Sequence, residues 1–301
     1  MALSKKASLS LAELSAATET VSRSYVELDQ TPAIMIRASK KWSTIDLREL
    51  WLHRELLYFL VWRDLKVRYK QTILGVSWVI LQPVLMTLIF ALFLGNIAHI
   101  PSEGVPYVLF LYSALLPWTF FSNAVSTSSH SLIASAHMIT KVYFPRSIVP
   151  LAAILVRLSD FLVASAIMVV LMLYYGQPIT RASLLLPFLV LHLTLLTLGL
   201  SLWFSALNVK YRDVGTVLPV VLQLLMFASP IIYPASLVSP QWRWAYSLNP
   251  LAGLIGAFRA ALLGTPLDRQ SLAISAVITL LLLVYGTFVF RRMEDQFADV
   301  V

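Results

Sequence analysis

The chain of 301 residues is 58% hydrophobic and only 13% charged, with a mean hydropathy of +0.78, more apolar than a soluble globule usually is. A formal charge of +8 would suggest nucleic acid as a partner of a soluble protein, but most cations here stand at the ends of apolar runs, where Lys and Arg anchor a chain to the inner face of a bilayer. The absence of cysteine excludes disulfides, thiol nucleophiles and thiolate metal sites.

Met1 to about Lys41 is rich in Ser, Ala and Thr and poor in aromatics, the composition of a flexible cytoplasmic tail. It has no signal-peptide core, so no cleavage is expected. Residues 42–61 read as an amphipathic helix capped by Ser43 or Thr44, with Leu47, Leu50, Trp51, Leu57 and Tyr58 on one stripe that Arg54 interrupts. Its first turns are expected at the membrane interface and its last turns against the spans. A basic collar follows: Arg63, Lys66, Arg68 and Lys70 stand against Asp64, and after Lys70 no charged residue occurs until Glu103. Such a step from cationic to apolar sequence marks the inner membrane boundary and puts the N-terminus inside.

Residues 62–292 read as one transmembrane domain of six spans, at about 73–95, 107–123, 147–175, 184–207, 214–233 and 272–290, each long enough for most of a hydrocarbon core at 1.5 Å per residue. Pro83 should kink the first span and Pro117 the second. Arg157 and Asp160, three residues apart in the third, share a helical face; they either pair with each other and neighbouring helices or line a polar pathway. His192 in the fourth reads as a packing residue. Pro219 and Ser229-Pro230 suggest a discontinuous fifth helix, tolerated beside a cavity. Trp242, Trp244 and Tyr246 form an aromatic belt, and Asn249-Pro250 caps a helix ending before Gly264 that is too short to span, hence re-entrant or interfacial. Lys141, Arg146, Lys210, Arg212, Arg291 and Arg292 all fall in inside loops, which also puts the C-terminal tail, 293–301, inside. The fold class is therefore all-α integral membrane protein with six spans, an N-terminal interfacial helix and short external helices.

Phosphate-cradling loops, His-Glu-x-x-His, Gly-x-Ser-x-Gly and paired-Asp sugar-nucleotide motifs are all missing from the sequence. His130 and His137 make a weak metal site, without carboxylates beside them. An enzyme reading has little support. A gradient-coupled carrier usually keeps several buried ionisable groups, whereas only Arg157, Asp160 and His192 qualify here, so an external motor is the better reading. The alternatives are a gradient-driven lipid or glycan carrier and a membrane-embedded glycosyltransferase, each working without an ATPase.

Five ordered motifs carry more. Trp62-Arg-Asp-Leu-Lys-Val-Arg-Tyr-Lys-Gln-Thr-Ile-Leu-Gly75, Leu116-Pro-Trp-Thr-Phe-Phe121, Lys141-Val-Tyr-Phe-Pro-Arg146, Ala206-Leu-Asn-Val-Lys-Tyr-Arg-Asp213 and Ser229-Pro-Ile-Ile-Tyr-Pro234 together resemble the permease subunits of type-2 ABC exporters for O-antigen and related cell-surface polysaccharides. The likeness runs from about Leu50 to Arg292. It implies a homodimer in the bacterial inner membrane, bound to two copies of an ABC ATP-binding subunit and exporting a polyprenyl-diphosphate-linked glycan among membrane lipids, with no nucleic acid. ATP and magnesium would sit on the partner, and this chain would bind no cofactor or metal and carry no catalytic residue.

Carried onto these residues, the resemblance makes Ser135 to Phe144 a cytoplasmic coupling helix docking in the ATPase. Ser135, Met138, Ile139, Lys141, Val142, Tyr143 and Phe144 would be its contacts. The helix at 42–61 would be a gate at the lipid-substrate entrance, and the segment from Trp242 to Leu263 the external gate helices. Arg54, Arg63, Lys66, Arg68 and Lys70 are candidates for the diphosphate or headgroups. Spans one and five would wall the channel, with Trp78, Phe90, Phe93, Phe227 and Tyr233 as candidate sliding surfaces for sugar rings.

Overall fold

The computed structural model describes residues 47–70, 75, 77–294 and 297. The tail, the Ser43 or Thr44 cap and the expected start of the first span at Ile73 lie outside the described residues. Among those described there is no strand. The helices are α1 (Leu47–Leu52), α2 (Arg54–Lys70), α3 (Ser77–Phe90), α4 (Tyr107–Ala134), α5 (Ala136–Ile139), α6 (Ile148–Tyr174), α7 (Leu186–Lys210), α8 (Asp213–Phe227), α9 (Arg243–Ser247), α10 (Pro250–Leu263) and α11 (Arg269–Glu294). A π-helical stretch, Ala91–Ile97, continues α3, and a 3-10 turn, Arg181–Leu185, leads into α7. Five stretches are long and apolar enough to cross a membrane: Ser77–Gly95, Tyr107–Ala134, Ile148–Tyr174, Arg181–Lys210 and Arg269–Glu294.

The α4 helix is the centre. It is buried over most of its length and packs against α3, α6, α7, α8 and α10, and a helix surrounded by protein can be apolar on all sides. It also runs through Pro117 and eleven residues past the expected end at Asn123. Beyond that end the helix stays regular through a polar stretch whose hydroxyls find partners inside the protein: Ser129 Oγ donates to Ser126 O at 2.7 Å, Ser131 Oγ to Ser128 O at 2.7 Å, and Ser128 Oγ to Pro150 O of α6 at 3.3 Å. Such bonding satisfies a hydroxyl where no water is available.

The interfacial helix departs from expectation in two ways. It breaks at His53 into α1 and α2, and α2 continues through the whole collar to Lys70, so the cations sit on the same helix rather than at the mouth of the first span. Its inward face is Leu50, Leu56, Leu57, Leu60 and Val61, packed with Leu132, Ile148, Leu202 and Phe290. Trp51 and Tyr58 of the expected stripe face out. The fifth span is shorter than expected: α8 passes through Pro219 but stops at Phe227, and Ser229-Pro230 breaks the chain as the prolines suggest. Its fifteen residues give about 22 Å at 1.5 Å per residue, short of a hydrocarbon core of about 30 Å.

Asn249 ties down that break. Its Nδ2 donates to Ala228 O and Ser229 Oγ at 3.2 and 2.9 Å, and its Oδ1 accepts from Leu251 N at 3.0 Å, capping α10. Pro250 opens the helix and Gly264, at φ +73°, ends it in the left-handed conformation. The α10 helix is buried on nearly every side, against α11, α4 and α7.

Two ends can be told apart by contact. The α4–α6 turn with Ile139 and Phe144, Val209 of α7 and Phe290 of α11 share one cluster, so Lys141, Arg146, Lys210 and Arg291 gather at one basic end. At the other, Gln177 Nε2 donates to Leu263 O at 2.9 Å, Ser183 Oγ to Ala261 O at 2.8 Å and Ser236 Oγ to Glu103 Oε1 at 2.9 Å, which gathers the remaining loops. There Asp268 caps α11: Oδ2 accepts from Ser271 Oγ at 2.6 Å, and Oδ1 from the Gln270 and Ser271 amides at 3.0 and 3.1 Å. The Ser271 hydroxyl chiefly, and then these amides, hold the carboxyl below the usual aspartate range. Asp268→Ala should cost about 1 kcal/mol, the usual worth of such a cap. Because the folded-state pKa is depressed, the difference from the parent is full above the ordinary aspartate value and fades as pH falls through the lowered one. Thermal unfolding against pH in detergent measures it.

Candidate transport site

The third-span charges are joined by a residue from the collar. Asp160 on α6 receives Arg68 Nη1 of α2 at 3.0 Å and Arg157 Nη1 at 3.4 Å on Oδ2, while Tyr69 Oη donates to Oδ1 at 2.5 Å. Arg157 in turn donates through Nε and Nη2 to Thr127 Oγ1 of α4, at 3.0 and 2.7 Å. Three helices are thus stitched around one carboxylate, two guanidiniums and two hydroxyls. Burial, reinforced by the hydrogen bond to Asp160, pushes the Tyr69 phenol up to about 12 from 10.0, so it remains a donor at any physiological pH.

Of the two readings open for Arg157 and Asp160, the structure shows the pairing. They also line a cavity of about 100 Å³ with Trp78, Gln82, Thr119 and Asn123. A second cavity, about 510 Å³, lies nearer the basic end between α2, α4 and α6. Arg63, Arg68, His130 and Ser135 line it, over an apolar wall that includes Leu60 and Val156.

The remaining cations of α2 differ in their attachments. Arg63 Nη2 pairs with Asp64 at 2.8 Å in a partly exposed bridge, which is worth at most about 1 kcal/mol. Lys66 Nζ stands 4.5 Å from the Trp62 ring centroid, and Arg54 stacks at 5.6 Å on Trp51 and donates to its carbonyl. Lys66 and Lys70 are exposed. Arg68, expected with them in the open collar, is instead turned into the Asp160 cluster.

The coupling segment is shorter than a helix across Ser135 to Phe144. Its α-helical part, α5, is four residues, and Ser135 marks the junction with α4. Ile139 and Phe144 are buried in the basic-end core, so they cannot offer the docking contacts expected of them. The exposed set is His137, Thr140, Lys141, Val142 and Tyr143, with Met138 half-buried. The Arg146 amide donates to Glu294 Oε1 at 3.1 Å, and Arg291 pairs with Glu294 at 3.3 Å, which fastens the segment's end to α11.

The channel candidates are split. Trp78, Phe93 and Phe227 are exposed, Phe90 packs against the central core, and Tyr233 Oη donates to Phe227 O at 3.0 Å. Both α3 and α8 pack on α4 and leave an apolar outer face uncovered, Met86, Ile89 and Leu92 on one and Val217, Val220 and Leu224 on the other. In the belt, Trp242 and Trp244 are exposed, but Tyr246 turns inward; burial, with the Tyr233 phenol beside it, raises its pKa. His192 Nε2 meets Thr279 Oγ1 of α11 at 2.9 Å, a helix-to-helix contact in keeping with a packing role.

Three participants escaped the sequence reading. Tyr69 and Thr127 carried no signal, since a Tyr beside a collar and a Thr in a polar run are unremarkable alone. Arg259 did carry one: it is the single charge in the fourteen residues of α10, and it is buried.

Residues 55–263 match the family model described as ABC-2 type transporter. The chain belongs to that family. As a type-2 ABC exporter permease it is a multi-pass membrane protein whose role is transport rather than catalysis. It is 31% identical over 258 residues to an O-antigen export system permease protein of Myxococcus xanthus, covering 85% of this chain and 98% of that one. An O-antigen export system permease protein of Klebsiella pneumoniae is 28% identical over 248 residues, 82% of this permease and 95% of that one. A polysialic acid transport protein of Escherichia coli is 28% identical over 242 residues, 77% and 91% of the two.

Proposed function

We propose that this permease is the membrane half of an ATP-driven exporter that moves a polyprenyl-diphosphate-linked polysaccharide of O-antigen type across the bacterial inner membrane. The observation that carries the reading is likeness over 98% and 91% of their lengths to proteins named for O-antigen export and for polysialic acid transport, together with this chain's own ABC-2 match. Two copies would face each other through the uncovered sides of α3 and α8, with Trp78, Phe93 and Phe227 towards the sugar. In this arrangement α8 and the segment to Tyr233 act as a sixth, broken crossing, and both termini lie in the cytoplasm with the basic end.

Two copies of an ATP-binding subunit would dock on that end. The face of Lys141, Val142 and Tyr143 offers a ring, a branched apolar side chain and a cation within three residues, suited to a groove, and the Arg146 to Glu294 tether carries a push on it to α11. Exposed Lys66 and Lys70, with Arg63 at the second cavity, would meet the diphosphate as it enters beneath α2.

Co-expression with its ATP-binding subunit should yield a stable complex, and the bare permease should not turn over substrate. Tyr143→Ala with Lys141→Glu should lower the yield of complex and glycan-stimulated ATP hydrolysis at least tenfold, as loss of an interface anchor of about 2 kcal/mol does. ATPase activity that survives charge and proline substitutions throughout 141–146 would remove the coupling role from this segment.

A further inference from the structure

Arg259 is a cation in a place that discourages one. It lies on α10 with only 5% of its surface exposed. Its guanidinium stands over the Phe110 ring, 3.6 Å from the centroid, and Nη2 donates to Ile231 O at 2.8 Å, but Nε has no partner. Among the described residues no carboxylate lies within 4 Å of it. A buried guanidinium with a spare donor is costly unless something completes it. The side chain lines a cavity of about 550 Å³ at the loop end, shared with Glu103, Val105, Ala235, Leu263 and Thr265. Glu103 sits on an exposed loop with φ at +56° and holds Ser236 through Oε1, which sets its carboxylate on the same cavity without touching Arg259.

Such a cavity has a fixed cation and a fixed anion on separate walls. A ligand with one net charge is drawn to one and repelled by the other. A neutral ligand must offer acceptors to the guanidinium and donors to the carboxylate, and a hydroxyl does both. Val105, Ala235 and Leu263 provide an apolar surface for ring C–H groups, and the volume lies within the usual range of small-ligand sites, about 300 to 1,000 Å³. We infer that the cavity between Arg259 and Glu103 is a binding subsite for one neutral pyranose unit of the exported polymer. The assignment rests on the export reading above and adds to it a station at the loop end, where uncharged sugars are held and charged ones are not.

Because the chain has no cysteine, Thr265→Cys places a single thiol at the cavity. The complex, assembled with a cysteine-free ATP-binding subunit in lipid nanodiscs, is alkylated with a maleimide in the presence of maltotriose, trigalacturonate or chitosan trisaccharide. Maltotriose should slow alkylation several-fold and the two charged trimers should not. A Ser239→Cys thiol, outside the cavity lining, should react at one rate throughout. Arg259→Gln and Glu103→Gln should each abolish the protection; the exposed Glu103 variant keeps the test available if Arg259→Gln does not fold. Unchanged alkylation with maltotriose, protection that persists in Glu103→Gln, or equal protection by the charged trimers would each overturn the subsite. Nanodiscs leave both faces open, so the result does not depend on transport. A complex that still exports glycan in cells but shows no protection loses the subsite and keeps the export reading, whereas an absence of ATP-dependent export strikes that reading itself.

Discussion

Asp160→Asn should destabilise the permease by about 3 kcal/mol, the low end for breaking a buried ion pair, and should abolish export. The low end applies because the Arg68 side chain is one-third exposed. The substitution keeps shape but reverses one atom's chemistry. The oxygen that replaces Oδ1 can still accept from Tyr69, but the amide nitrogen replacing Oδ2 is a donor facing two donors, Arg68 at 3.0 Å and Arg157 at 3.4 Å. Arg157 retains Thr127, so the strain falls on Arg68 and through it on α2. Helix α2 should then detach from α6, which proteolysis or spin labels on α2 would report. Arg68→Gln combined with Asp160→Asn should cost less than the sum of the two, since each removes part of the same contact. Tyr69→Phe removes one hydrogen bond to a charged group, about 1.5 to 3 kcal/mol. The raised phenol pKa works in one direction: its contribution is full below 10.0 and is lost as pH climbs from there through about 12. Unchanged melting of Asp160→Asn alongside intact export would show that the cluster is needed neither for stability nor for export.

The cluster also marks where sequence reading reaches its limit. Arg157 and Asp160 were visible as a pair because three residues along a helix return to one face, and charge at span depth draws attention. Arg68 was visible as a collar cation and was placed in the wrong company. Periodicity orients side chains around their own helix axis but says nothing of how two helices are rotated against each other. The α2–α6 crossing decides that, and it depends on packing at Leu60 and Ile148 that no local pattern encodes. The same limit hid Ile139 and Phe144. In a short segment of mixed residues, the four-residue α5 leaves no period to separate an inward from an outward face.

Boundaries failed where polarity was taken for exposure. The second span reads as ending at Asn123, where serines and threonines begin, yet within the bundle Ser129 and Ser131 bond carbonyls of their own helix and Ser128 one of α6, and the helix continues. Pro83 and Pro117 lie inside helices, where the sequence puts them, and so does Pro219, where a break was expected instead; at Pro83 the Thr87 hydroxyl donates to the proline carbonyl at 2.8 Å. The features read most accurately were those set by one or two residues acting alone. Asn249 and Pro250 at the start of α10 and Gly264 at its end are conformational requirements, and Ser229-Pro230 ends α8 whatever surrounds it.

Close contacts between glycines were invisible for the opposite reason, since a missing side chain leaves no pattern. Gly199 of α7 and Gly286 of α11 lie against each other: a Cβ on Gly286 would collide with the Gly199 carbonyl, and one on Gly199 would stand 2.8 Å from the Leu283 Cα and amide nitrogen. Between helices in lipid there is little hydrophobic drive, so association depends on such backbone approach. Here α7 and α11 hold the two ends of the bundle together, His192 meeting Thr279 towards one and Val209 and Phe290 sharing the core at the other. Gly286→Ala should therefore cost about 1 to 3 kcal/mol, the usual penalty of overpacking, with Gly286→Leu costing more and preventing assembly. Gly199→Ala should cost less when added to Gly286→Ala than alone, because helices already forced apart have room for the second methyl. Gly256→Ala is the opposite case. It lies on α10 with nothing within 4 Å of the added carbon, so the gain in helix propensity should stabilise the protein by up to about 1 kcal/mol. Thermal melting followed by fluorescence size-exclusion separates the two. If Gly286→Ala and Gly256→Ala shift it alike, the close glycine contact is not what holds α7 and α11 together.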